Sequence, residues 1–386
     1  MFATGDGKPR RNAAAADLRP LTGLRFFAAA LILCHHLREE FPRGPLDQIP
    51  GNLIQGVSFF FVLSGFILAH VYSERKPLGA RDFMWLRFAR LYPTHLAALL
   101  LPVFLLPWSR LGIDGSGVGM LAGSFLAKLF LVDALLPMAP VQWSWNGASW
   151  SISTEMFFYL AFPFLLSRLG SNWLKVLGLS ALLVIAVYTT GVLGGYGVVG
   201  PPVAMESVFQ LGLTHPAGRG FEFVLGMCAY RAWRKWLEPR NFAAAWWTLV
   251  ELSVLAVLAV WFLWGCRWIG LQLPLVVQLW LVPSGSCWIF ALLIPIIAGG
   301  QGLIGRMLST KLLIWLGEIS FAVYMYHQTI IRAAHSYFGA DFPLLPIVGV
   351  TILAAALSHR FLEVPARRML LSRTLFRQAE AKVAGR

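Results

Sequence analysis

Arg25-Phe-Phe-Ala-Ala-Ala-Leu-Ile-Leu-Cys-His35-His36 is the stretch on which the fold turns. It lies in an apolar run at about 22–38, close to the roughly 20 residues that a helix needs to cross a bilayer. No small-residue cleavage site follows and many more apolar runs do, so it reads as a first membrane helix rather than a signal peptide. Arg25 and His36 are eleven residues apart, which at about 100° per residue is three turns plus roughly 20°. Both side chains therefore lie on one face, about 16 Å apart along the axis. His35 falls about 80° off that face. Snorkelling explains Arg25 alone, and an interface cap explains His36 alone. Together on one face they mark a functional track.

Composition supports a membrane setting. The chain has 386 residues, of which 58% are hydrophobic and 13% charged, against about 25% charged in soluble domains. Disorder is excluded, because it needs low hydrophobicity and high charge density. Lys and Arg outnumber Asp and Glu by 32 to 18, a net charge of +14. With a mean hydropathy of +0.66, that excess reads as basic flanks of membrane spans rather than a nucleic-acid surface. Cys34, Cys228, Cys266 and Cys287 form no CxxC pair and indicate neither a zinc site nor a disulfide framework.

Further apolar stretches lie near 53–72, 91–108, 118–137, 149–168, 173–192, 219–236, 246–264, 286–300, 312–334 and 344–362. The stretch at 118–137 carries Lys128 and Asp133, and a charge at the bilayer centre costs roughly 2.5–3.5 kcal/mol on insertion scales. If it does not cross and the N-terminus is cytosolic, most of the basic residues fall on the cytosolic side, as the positive-inside rule requires. If it crosses, the bias largely cancels. The expected fold is therefore an all-α polytopic membrane helix bundle of about ten transmembrane helices with cytosolic N- and C-termini. Residues 1–20 read as a disordered basic tail, 21–365 as one membrane domain with 110–148 outer-side or re-entrant, and 366–386 as a second basic tail. No internal repeat is visible.

Several segments carry chemistry. Arg87-Phe-Ala-Arg90 puts two guanidinium groups on one face at i, i+3, expected at the N-terminus of the third span, where phosphate is favoured. In Trp150-Ser-Ile-Ser-Thr-Glu155-Met-Phe-Phe-Tyr159 the helix runs inward, so Glu155 is expected near the depth of His36. A carboxylate there orients an imidazole and raises its basicity. Arg219 and Glu222 form an i, i+3 pair, and Ser320, Tyr324 and His327 share one face. The run Phe59 to Phe66 lacks the glycines of a nucleophile elbow; Ser64-Gly65 reads as a close-packing site.

Taken in order, these segments resemble the acyltransferase 3 family of integral membrane acyltransferases. The resemblance rests on Arg25 and His36, residues 60–66, Arg87 and Arg90, Trp150 to Tyr159, and Gly317 to His327, over about residues 20–365. It implies an O-acyltransferase of the inner (plasma) membrane. Such an enzyme takes an acetyl or other short acyl group from cytosolic acetyl-CoA or another acyl-CoA. It places the group on a sugar hydroxyl of a cell-surface glycan or glycolipid precursor, or of a small glycosylated metabolite, with no metal and no nucleic acid. The expected roles are Arg25, Arg87 and Arg90 for the CoA phosphates and His36 as general base oriented by Glu155. An acyl-His36 intermediate is the other route. Arg219, Glu222, Tyr324 and His327 are the expected acceptor-binding groups. A transporter or flippase for a glycan or lipid intermediate is the rival; it would more often show repeated halves with broken helices.

Overall fold

The computed structural model describes residues 18–42, 46, 52–73, 79–113, 116–136, 138–170, 172–194, 208–238, 242–265 and 272–372. Residues 1–17 of the tail proposed at 1–20, residues 373–386 of the other and Cys266 lie outside the described residues, while Arg19 and Pro20 open the first helix. Every regular element described is helical and none is a strand, as the all-α reading expects. In chain order the helices are α1 (Arg19–Glu40), α2 (Gly56–Tyr72), α3 (Ala80–Leu105), α4 (Val118–Leu129), α5 (Ala139–Trp143), α6 (Trp150–Arg168), α7 (Trp173–Leu193) and α8 (Val208–Thr214). They continue as α9 (Pro216–Ala232), α10 (Ala244–Val260), α11 (Leu275–Ser284), α12 (Cys287–Ala298), α13 (Leu303–Leu308), α14 (Lys311–Phe338) and α15 (Leu344–Ser358).

Among the described residues, seven helical stretches are long and apolar enough to cross a membrane: Arg19–Glu40, Leu53–Tyr72, Ala80–Leu105, Trp173–Leu193, Ala244–Gly265, Val277–Ala298 and Leu344–Ser372. The other three stretches expected to cross correspond to α6, α9 and α14, which carry Glu155, Arg219 with Glu222, and Glu318 with Arg332. Burial sorts the elements. In Leu53–Tyr72 and Val277–Ala298, 67% of the most apolar stretch is buried; in Trp173–Leu193, Ala244–Gly265 and Leu344–Ser372 the share is 17%. The first two belong to the interior, and the other three form an outer layer of apolar side chains suited to lipid.

The inner helices approach closely where glycine allows it. A Cβ on Gly65 would lie 2.0 Å from the Phe223 carbonyl oxygen, and one on Gly226 would lie 1.9 Å from that of Val62. This reciprocal contact joins α2 to α9 in the small-residue manner of membrane interfaces. Gly317 of α14 sits likewise against Thr22, where a Cβ would lie 1.8 Å from its oxygen. That fixes α1 beside α14, on which the site depends.

Lys128, Asp133 and Glu251, charges inside apolar stretches, are each paired or hydrogen-bonded. α4 has 12 residues, about 18 Å at 1.5 Å per residue, short of a hydrocarbon core of about 30 Å. Lys128 and Asp133 are both fully buried and pair at 3.1 Å, and Lys128 Nζ also donates to the Gln142 carbonyl at 2.9 Å. Glu251, buried in α10, accepts from the backbone N–H groups of Ile304 and Gly305 at 2.9 and 3.1 Å. It satisfies donors at the start of α13 that would otherwise be orphaned.

Candidate active site

α1, α2, α3, α6, α14 and the segment following α15 enclose a cavity of about 530 Å³. Arg25, Arg87, Arg90, Glu155 and Tyr324 all line it. The guanidinium groups thus meet across two helices. One detail differs from the sequence expectation: α3 begins at Ala80, so Arg87 and Arg90 lie in its second and third turns, not at its N-terminus. The polar turn with Arg81 and Asp82 continues the helix outward, and an apolar-run boundary at 91 misses it. The helix dipole acts within the first turn, so an anion here meets side chains rather than the helix end. Arg87 Nη2 donates to the Tyr72 hydroxyl at 3.3 Å, while its buried Nε has no partner.

Glu155 projects from α6 toward α2. Its Oε1 accepts from Ser64 Oγ at 2.9 Å and from the Tyr159 hydroxyl one turn further along its own helix. Ser64 therefore does more than permit packing: Gly65 supplies the close approach, and Ser64 supplies a hydrogen bond inside the cavity. The expected contact between Glu155 and His36 is not among those formed. The carboxylate that holds His36 is Glu39 instead, with Oε2 2.9 Å from His36 Nδ1. The reason is local. His36 and Glu39 are one turn apart on α1, and Glu155 is drawn to the hydroxyl groups of Ser64 and Tyr159.

His36 belongs to a stack of imidazoles. Its ring centroid is 4.9 Å from that of His35 and 5.0 Å from that of His327 on α14. Glu39 also reaches His35, with Oε1 3.3 Å from Nε2, so His35 shares the carboxylate despite its angular offset. A carboxylate only accepts, so the His36–Glu39 bond requires the proton on Nδ1, and in the neutral imidazole that leaves Nε2 as a lone pair. His327 Nδ1 lies 2.5 Å from the Tyr324 carbonyl oxygen. It too must donate, which leaves buried Nε2 an acceptor without a partner. The Tyr324 ring is 5.7 Å from that of His327, and its hydroxyl donates to Ser151 Oγ at 2.8 Å. Ser151 precedes Glu155 by one turn, so a polar path runs from the imidazoles through Tyr324 to the cavity wall.

Arg219 and Glu222, expected to bind acceptor, pair with each other at 3.1 Å and are fully buried. Ser58 Oγ donates to Glu222 Oε1 at 2.7 Å, and the Arg219 guanidinium lies 5.2 Å from the Phe61 ring centroid. Neither residue lines the cavity. The i, i+3 pairing visible in the sequence is what the structure contains.

The family profile described as an acyltransferase domain, acyltransferase 3, matches residues 20–359. The chain belongs to this family. It is 29% identical over 386 aligned residues to acyltransferase MdmB of Streptomyces mycarofaciens, covering 92% of each chain. It is 28% identical to the exopolysaccharide production protein ExoZ of Rhizobium meliloti (strain 1021), covering 85% of this chain and 90% of that one. A Bacillus subtilis (strain 168) protein provisionally named peptidoglycan O-acetyltransferase YrhL is 25% identical over 90% of this chain and 54% of its own length. No solved structure matches.

Sequence reasoning passed over four residues of this acyltransferase's site: Glu39, Ser64, Ser151 and Tyr159. Three carried a signal. Glu39 stands at i+3 from His36 and i+4 from His35, and Ser151 and Tyr159 stand one turn to either side of Glu155. Ser64 reaches Glu155 across 91 residues of chain, a separation that no local spacing reveals. His35, His36 and Glu39 also have ligand atoms within 4.8 Å of one another, close enough to hold a metal ion. Glu39 reaches both rings, by a hydrogen bond to His36 and an ion contact to His35.

Proposed function

We propose that the protein is a multi-pass O-acyltransferase of the cell inner (plasma) membrane that takes an acetyl or other short acyl group from cytosolic acyl-CoA. Its acceptor is a hydroxyl of a sugar, in a cell-surface glycan or glycolipid precursor or in a small glycosylated metabolite. The observation that carries the reading is one cavity lined by Arg25, Arg87 and Arg90 and, on the wall that leads to His327 and His36, by Tyr324. The names ExoZ and YrhL, with exopolysaccharide production and peptidoglycan O-acetylation in them, support a glycan acceptor.

In this reading Arg87 and Arg90 hold donor phosphates, and Arg25 extends the basic wall toward the bilayer interior. His36 lies about 16 Å further along the same unbroken helix, a gap suited to a pantetheine arm. Glu39 keeps the Nδ1–H tautomer of His36, so Nε2 takes the proton of the acceptor hydroxyl as its oxygen attacks the thioester carbonyl. The C–O bond forms, the C–S bond breaks, and the His36 imidazolium returns the proton to the departing thiolate. His327 offers bare Nε2 to a second acceptor hydroxyl. Glu155, held by Ser64 and Tyr159, supplies negative charge beside the arginines rather than orienting His36. The topology that goes with this mechanism has ten crossings, α6, α9 and α14 added to the seven apolar stretches, and both termini cytosolic.

Purified protein incubated with acetyl-labelled acetyl-CoA and a membrane glycan fraction tests the proposal. Label should move to ester-linked acetyl groups on the glycan. Label retained on CoA, with no binding of acetyl-CoA detected by calorimetry, would reject it.

A further inference from the structure

The helix that begins with α15 does not end where its apolar stretch ends. It continues through one π turn, His359–Glu363, and runs on to Ser372. A π turn adds a residue to a helical turn, and such bulges often sit at functional sites. Here the segment beyond α15 turns His359, Glu363, Val364 and Arg367 toward the cavity already lined by Arg25, Arg87 and Arg90. Trp85 Nε1 donates to the Leu370 carbonyl at 3.2 Å, which docks the end of this helix on α3 two residues before Arg87. Arg367, expected within a tail, therefore lines the cavity.

The charge balance of that rim is unusual. Glu363 accepts from His359 at 3.3 Å, and Glu155 accepts from Ser64 and Tyr159. Among the described residues, none of Arg25, Arg87, Arg90 and Arg367 makes an ion pair. Arg87, Arg90 and Glu363 are the charges that act on Arg367, which is itself exposed. Four guanidinium groups stand against three carboxylates, Glu155, Glu318 and Glu363, in the cavity lining, which leaves a modest positive focus whose arginines are not ion-paired. The focus matches a ligand with several phosphate groups, because guanidinium pairs with phosphate through two parallel donors.

Acyl-CoA carries phosphate in two places: a diphosphate, and a separate monophosphate on the 3′ position of the ribose. Arg87 and Arg90 stand at i, i+3 on one helix, a spacing suited to two adjacent phosphates. Arg367 stands on a different helix, at the exposed rim. We infer that Arg367 binds the ribose 3′-phosphate of the donor and makes this acyltransferase select CoA thioesters over carriers that lack that phosphate. The inference rests on the acyl-CoA reading above and adds a specificity-determining residue to it.

The test measures binding of CoA and of 3′-dephospho-CoA to the purified full-length protein by calorimetry, for the wild type, Arg367→Ala and Arg367→Lys. The wild type should bind CoA about 10- to 100-fold more tightly than 3′-dephospho-CoA, as expected for a charge-assisted hydrogen bond. Arg367→Ala should lose that preference by weakening CoA alone, with 3′-dephospho-CoA unchanged. Arg367→Lys should recover part of it, which a merely structural role in helix docking would not produce. Preference retained in Arg367→Ala, or equal weakening of both ligands, would overturn the assignment. Equal binding of both ligands by the wild type would also overturn it while leaving the acyl-CoA reading intact. Failure of the wild type to bind CoA at all would remove both.

Discussion

Replacing Glu39 by glutamine isolates what this carboxylate does for His36. Glu39 holds His36 Nδ1 at 2.9 Å and His35 Nε2 at 3.3 Å, but its side chain is 56% exposed. A charge-assisted hydrogen bond is worth about 1.5–3 kcal/mol when shielded, whereas an exposed ion pair is worth about 0–1 kcal/mol. At this exposure the charge is worth about 1 kcal/mol to an imidazolium forming on His36, a factor of about 5 in rate. The glutamine oxygen still accepts from Nδ1–H, so the tautomer survives. Glu39→Gln should therefore lower kcat about 5-fold. Glu39→Ala removes the tautomer restraint as well and should lower kcat about 10- to 50-fold, short of the 10²–10⁴ carried by a positioned acid–base group. The assay is steady-state acyl transfer, with acyl-CoA affinity measured separately by calorimetry and expected to stay constant, because the arginines are untouched. Wild-type kcat in folded Glu39→Ala would refute the reasoning. So would a loss that appears only in acyl-CoA affinity.

Two further outcomes follow from the geometry. Arg87→Ala and Arg90→Ala should each raise the Kd for acyl-CoA roughly 10- to 100-fold with little change in turnover at saturation; unchanged affinity in the double variant, read by calorimetry, would detach these residues from the donor. Lys128→Met leaves Asp133 buried and unpaired and should destabilise the protein by about 3–5 kcal/mol. Lys128→Met combined with Asp133→Leu should recover much of that loss in detergent melting, and equal melting temperatures for the single variant and the wild type would show the pair to be idle.

Much of the architecture was legible because bilayer physics acts on composition. Long apolar runs state helix positions without reference to tertiary contacts, and α1, α2 and α7 match their apolar stretches within a few residues. Boundaries failed where a helix leaves the apolar zone. α3 starts in a polar turn at Ala80, and the C-terminal helix continues to Ser372 through charged residues. Neither extension has a hydropathy signal. In the site, Arg25, Arg87, Arg90, Glu155 and Tyr324 line one cavity, whereas the sequence places Glu155 and Tyr324 at the depth of His36, away from the arginines. Depth along the bilayer normal does not set contact: the His36 imidazole meets Glu39. Glu39, on the same helix, competes at far lower entropic cost than a group on α6. Arg219 and Glu222 pair with each other away from the cavity, although Nε and Nη1 of Arg219 stay buried without a hydrogen-bond partner.

The central claim is that donor binding and chemistry occupy the two ends of one helix, Arg25 at one and His36 at the other. The most direct measurement is the Kd for acetyl-CoA and the rate of acetyl transfer in the same preparation of His36→Ala. The account predicts wild-type affinity together with abolished transfer, because the phosphate contacts lie about three turns from the base. Full transfer in a folded His36→Ala protein, or loss of acetyl-CoA binding in parallel with transfer, would contradict it.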